Sequence, residues 1–117
     1  MPDHANSTPF FDDGSSNWED LGEGISRKIL GWTDSLMAVC VRFDKDAIGA
    51  PHSHDIHDQI AYVVKGRFEI EIDGQRRELG PGDAFTVVKN TWHGARALEQ
   101  DSMLIDMFSP KRDEFLN

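Results

Sequence analysis

The middle of this chain can be little other than a run of short antiparallel strands. Arg67 to Ile72 alternates strictly, with Phe68, Ile70 and Ile72 on one face and Arg67, Glu69 and Glu71 on the other. Asp73-Gly74 follows, a dipeptide suited to the two left-handed positions of a type I′ hairpin, and Gln75 to Leu79 reads as the return strand. Lys65-Gly66 makes a turn before this hairpin, after a strand from Gln59 to Val64. Gly80-Pro81-Gly82-Asp83 makes another, leading into Phe85 to Val88. Upstream, Ile25 to Leu30 alternates up to Gly31, which is expected to end that strand. Leu36 to Phe43 is apolar on both faces, as a strand covered on both sides would be. Strands around Ala95 to Leu98 and Met103 to Phe108 complete the set. No repeat, heptad pattern or amphipathic helix interrupts it. The chain is therefore expected to be all-β, an antiparallel sandwich or barrel.

With 117 residues there is room for one domain. Residues 18–117 are expected to form it, behind a polar arm, residues 1–17, that docks by Phe10 and Phe11. Asp and Glu outnumber Lys and Arg by 21 to 12, for a net charge of -9. That charge repels phosphate backbones and anionic lipid, which argues against nucleic-acid and membrane partners. No apolar run approaches the ~20 residues that span a bilayer. The first residues lack a basic then apolar leader, and Cys40 has no intramolecular cysteine to pair with, so a cytoplasmic location is expected.

Chemistry concentrates in four of the five histidines, His52, His54, His57 and His93. On an extended segment His52 and His54 leave the same face, and the Gln59 amide oxygen is a neutral ligand on the next strand. If the His93 strand lies beside the His52 strand, His52, His54, Gln59 and His93 converge on one divalent metal ion. Such a set does not by itself name the metal. His57 breaks the pattern and is expected in a loop or behind the ligands; His4 is expected to be solvated.

These residues resemble the two motifs of the cupin family. His52, His54, Gln59 and Gly66 match the first, and Pro81-Gly82-Asp83 with His93 matches the second. Asp46 stands where the first motif has a glycine, and Val88 where the second has a proline. The resemblance implies a single-domain double-stranded β-helix, or jelly roll, with a metal near its mouth. Trp18 to Gly31, Leu36 to Phe43 and Ile105 to Leu116 are further similar to the pectin-degradation cupins of the KdgF type. That resemblance implies ring opening of 4,5-unsaturated uronates, small molecules released by polysaccharide lyases acting on pectin or alginate, to linear 5-keto-4-deoxyuronate. It places the metal (nickel, zinc, iron or manganese) on His52, His54, Gln59 and His93, proton transfer on Asp106, and substrate contacts on Phe108 and Arg112. A homodimer is expected, because pairing closes exposed sheet edges.

Without the resemblance, Asp106 reads as a strand-end charge, Phe108 as core, and Arg112 as part of the mixed-charge tail Lys111-Arg112-Asp113-Glu114. Arg96 and Tyr62 read as surface or packing residues. Two rival activities fit the metal motif: an Fe(II) dioxygenase, which would consume oxygen, and a sugar- or metal-binding sensor, which would bind uronate unchanged.

Overall fold

The computed structural model describes residues 6–116, so His4 and the first part of the arm lie outside it. Ten strands follow in order: β1 (Glu19–Gly22), β2 (Ile25–Thr33), β3 (Leu36–Phe43), β4 (Ile48–His52), β5 (Asp58–Lys65), β6 (Phe68–Ile72), β7 (Gln75–Leu79), β8 (Ala84–Val87), β9 (His93–Ala97) and β10 (Ser102–Ser109). They form a six-stranded sheet, β1-β2-β3-β10-β5-β8, facing a four-stranded sheet, β4-β9-β6-β7. Every pairing is antiparallel. Among the described residues the only helical segments are 3-10 turns at Asp13–Ser15 and Asp113–Phe115, and no helix is long and apolar enough to cross a membrane.

Alternation decides what each strand buries. On β5, Gln59, Ala61 and Val63 point inward, and Ile60, Tyr62 and Val64 outward. On β10 the inward set is Leu104, Asp106 and Phe108. Phe43 from one sheet meets Phe68 from the other edge-to-face, centroids 5.1 Å apart, in a core that also holds Ile70, Leu79 and Ala97. A second cluster, Met37, Val39 and Phe108, packs with Trp32 and Phe115. The two clusters leave a cavity between the sheets.

The β6–β7 hairpin forms as expected, with Asp73 and Gly74 both at positive φ (50° and 84°). Gly31 does not end its strand. β2 runs on to Thr33, and the register slips between Ile29 and Gly31, so Leu30 is an extra residue opposite β3. Glycine inside a strand often marks such a bulge or a close backbone approach. Here the arm lies over it: Ser7 donates its backbone N–H to the Trp32 carbonyl at 2.9 Å. Asp46 adopts φ 69°, a left-handed conformation that glycine takes freely and aspartate tolerates, and Asp46 pairs with Arg96 at 3.0 Å.

Gly66 fills a place that no side chain fits. Its φ is +79°, and an added Cβ would overlap the Ser102 hydroxyl and lie 2.7 Å from the Ser102 backbone. Ser102 is fully buried and caps this turn, accepting from the Arg67 N–H at 3.2 Å. Gly66→Ala should therefore destabilise the protein by more than about 2 kcal/mol through combined backbone strain and overpacking. Urea titration measures it, and an unchanged midpoint contradicts the account.

Candidate active site

The seven residues expected to hold the metal, move the proton or touch the substrate line one cavity of about 190 Å³: His52, His54, Gln59, His93, Asp106, Phe108 and Arg112. Register explains the meeting. His52 and His93 are directly opposed across the β4–β9 pair, and Gln59 lies opposite Phe108 across β5–β10. His54 stands two residues beyond β4, where its carbonyl accepts from the Asn90 N–H at 2.6 Å.

The ligand atoms of His52, His54 and His93 lie within 4.8 Å of one another. His52 Nδ1 meets the Ala50 carbonyl at 2.7 Å, and His93 Nδ1 meets the Thr91 carbonyl at 2.9 Å. A carbonyl only accepts, so Nδ1 carries the proton in both rings and Nε2 keeps its lone pair for the cavity. His52 Nε2 and His54 Nε2 are 3.1 Å apart. Three histidines are thus positioned to bind a metal ion.

Two further atoms test the fit. His93 Nε2 and Gln59 Oε1 are buried and have no hydrogen-bond partner among the described residues. Orphaned buried polar atoms are costly and rare. Gln59 Nε2 donates to Asp106 Oδ1 at 2.7 Å, which fixes the amide and turns its oxygen the other way. A cation held by the three histidines would answer the orphan on His93, so the residues present fit a metal.

The surroundings favour neutral imidazoles. Burial, then the Arg112 guanidinium and the neighbouring rings, hold His54 down at about 4. Burial also lowers His93, against the pull of its Thr91 hydrogen bond. Asp106 moves the other way: burial raises its carboxyl from 3.8 to about 6, opposed by the Gln59 hydrogen bond and by Arg112. Arg112 stacks over Phe108 at 5.0 Å and over Phe115 at 4.2 Å.

These opposite displacements give a signed expectation for the metal-free protein. Between pH 4 and 6 folded Asp106 holds a proton that the unfolded chain releases, so its contribution to stability falls as pH rises. His54 does the reverse, because the unfolded chain binds the extra proton, and its contribution rises between pH 4 and 6.5. Asp106→Asn removes the falling part. The displacement from 3.8 to about 6 corresponds to roughly 3 kcal/mol at most. Melting temperatures at pH 4.5 and 6.5 should therefore rise more steeply with pH in the metal-free variant than in metal-free wild type; equal slopes contradict this.

His57 is buried in the loop before β5 and does not line the cavity. Its Nε2 is 3.2 Å from the Lys111 carbonyl, tethering the segment that carries Arg112. Arg96 and Tyr62 lie outside the cavity, Arg96 paired with Asp46 and Tyr62 45% exposed. Sequence reasoning missed Arg27 and Phe115, both on the cavity wall. Arg27 had a readable signal, a charge between Ile25 and Ile29 on the apolar face of its strand.

Residues 39–108 match the family model described as a cupin domain, more than half of the chain. The chain is also 59% identical over 107 residues to the pectin degradation protein KdgF of Dickeya dadantii, covering 92% of this chain and 97% of that one. It belongs to the KdgF family of cupins. The crystal structure of KdgF from a Halomonas species superposes with a TM-score of 0.91 at 53% identity, covering 93% of this chain and 99% of that one. An RmlC-like cupin from Shewanella frigidimarina superposes at 0.90 with 40% identity, covering 95% and 98%. The family places this cupin among double-stranded β-helix proteins, in agreement with its two facing antiparallel sheets.

Proposed function

We propose that this cupin opens the ring of 4,5-unsaturated uronates, converting them to linear 5-keto-4-deoxyuronate in the catabolism of pectin or alginate. The observation that carries the reading is the Gln59–Asp106 contact. One end of the amide holds the only carboxyl group lining the cavity among the described residues, and the other end turns an orphan oxygen away from it. A proton carrier thereby stands beside a metal site in one cavity. The pectin-degradation name of the Dickeya relative supports the substrate class.

His52, His54, His93 and Gln59 Oε1 would hold one divalent nickel, zinc, iron or manganese ion. All four are neutral, so the ion would act as a Lewis acid with its charge undiminished. Asp106 takes the proton of the C1 hydroxyl as the bond from C1 to the ring oxygen breaks. The ring oxygen leaves as the C5 enol, and a proton delivered to C4 gives the C5 ketone. No atom is gained or lost, and nothing is oxidised. Burial raises this carboxyl in the metal-free cavity, to about 6, which favours a group that first takes and then gives a proton. Arg112 pairs with the uronate carboxylate, and Phe108 gives the sugar ring an apolar wall. The reaction is placed in the cytoplasm, where the unpaired Cys40 suits a reducing environment. A homodimer belongs to the same reading; exposed Ile60, Tyr62 and Val64 on β5 are available to it, and sedimentation velocity checks it.

The test is product identity. Incubated with unsaturated galacturonate, the protein should yield by NMR a linear keto acid, with no oxygen uptake. Oxygen consumption would favour dioxygenase chemistry, and unchanged sugar would favour a sensor.

A further inference from the structure

We infer that Arg27 is a second substrate-binding cation of this pocket and that Phe115 is the post that sets it beside Arg112, so that the two guanidiniums grip one carboxylate. The inference rests on the uronate reading above and names how the same site recognises its anion.

Arg27 projects from β2 into the cavity, its side chain only 14% exposed. Its guanidinium carbon is 4.0 Å from the centre of the Phe115 ring, and that of Arg112 is 4.2 Å from the same centre. Two like charges therefore stand within about 8 Å of each other on a cavity wall, a costly arrangement that an anion relieves. In a charge-assisted pair the carboxylate carbon sits about 4 Å from the guanidinium carbon. About 8 Å is the upper bound, set by the ring between them, and at a smaller separation a carboxylate seated beside the Phe115 ring meets both forks.

The hydrogen-bonding pattern leaves the forks available. Glu19 accepts from Arg27 Nε at 2.6 Å, and Glu114 accepts from Arg112 Nε at 3.4 Å. Both carboxylates are more than half exposed, on the solvent side of their arginines. Among the described residues, no hydrogen bond engages the Nη groups of either arginine. The cavity thus sets two fixed cations against the single acid Asp106, in a protein whose net charge of -9 would otherwise repel a sugar acid.

Steady-state kinetics on the unsaturated uronate and on its methyl ester test the assignment. Arg27→Ala should raise KM for the free acid about tenfold with kcat within about twofold, the loss of one charge-assisted contact. On the neutral ester the same variant should lose less than about twofold. Arg27→Lys should recover part of the affinity, since it keeps the charge and loses the fork. Phe115→Leu, which keeps apolar packing against Phe108, should raise KM for the acid several-fold through both arginines. If Arg27→Ala folds poorly, Arg27→Gln makes the same comparison with the side-chain length kept. An unchanged KM, an equal loss on acid and ester, or a fall in kcat at constant KM each overturns the role of Arg27. An unchanged KM in Phe115→Leu overturns the role of the ring. A wild type that turns over neither compound overturns the underlying reading instead, and this inference with it.

Discussion

Asp106→Asn should keep the fold and the bound metal yet lose the reaction by a factor on the order of 10² to 10⁴ in kcat. Asparagine has the same shape, and its amide oxygen can still accept the Gln59 hydrogen bond that spans 2.7 Å in wild type. The loss thus isolates proton transfer from positioning. Asp106 is inward on β10 because Leu104 and Phe108 are, two residues to either side. Burial there raises its carboxyl to about 6, a strand-end aspartate in water having no reason to leave its ordinary range. Metal analysis and kcat on the same preparation decide the matter. A variant within about tenfold of wild type, with metal bound, would remove Asp106 from the chemistry.

His93→Ala should lose the metal and, with it, the rate. His93 is 4% exposed, its Nδ1 is fixed by the Thr91 carbonyl, and its Nε2 has no partner among the described residues. Deleting it leaves two imidazoles and an amide, and affinity should fall by more than the 10- to 100-fold typical of losing a supporting contact. A ligand and a merely structural histidine separate in thermal melts. Added nickel or zinc should raise the melting temperature of wild type and leave that of the variant nearly unmoved. A variant that is stabilised by metal as strongly as wild type would show that His93 is not a ligand.

Local chemistry made much of this architecture legible in the sequence. The β6–β7 hairpin needed only alternation and Asp73-Gly74, both of which act over a few residues. His52 was legible on an extended segment, but where its strand, β4, begins was not. Ile48-Gly49-Ala50-Pro51-His52 carries a glycine and a proline, and it is tolerated because β4 is an edge strand pairing only with β9, with an irregular register between Gly49 and His52. Gly31 misled for a related reason: a bulge lets the strand pass through a residue that ordinarily weakens one.

At the site, spacing put His52 and His54 on one face, but only the β4–β9 register brings His93 opposite His52. Arg112 looked like tail because its setting is tertiary. Phe108 and Phe115 hold its guanidinium, while His57 tethers the preceding carbonyl. Phe115 itself, in a three-residue turn near the end of the chain, carried no periodic signal at all.

Metal-dependent ring opening is tested most directly through the conjugated C4=C5 bond of the unsaturated uronate, whose ultraviolet absorbance disappears when the ring opens. The monosaccharide is mixed with protein as purified, with protein stripped by chelator, and with stripped protein given back a divalent metal. The account predicts decay well above the spontaneous rate, its abolition by chelation, and its return with metal. Decay no faster than the spontaneous rate with metal bound, or fast decay that survives complete removal of metal, would contradict it.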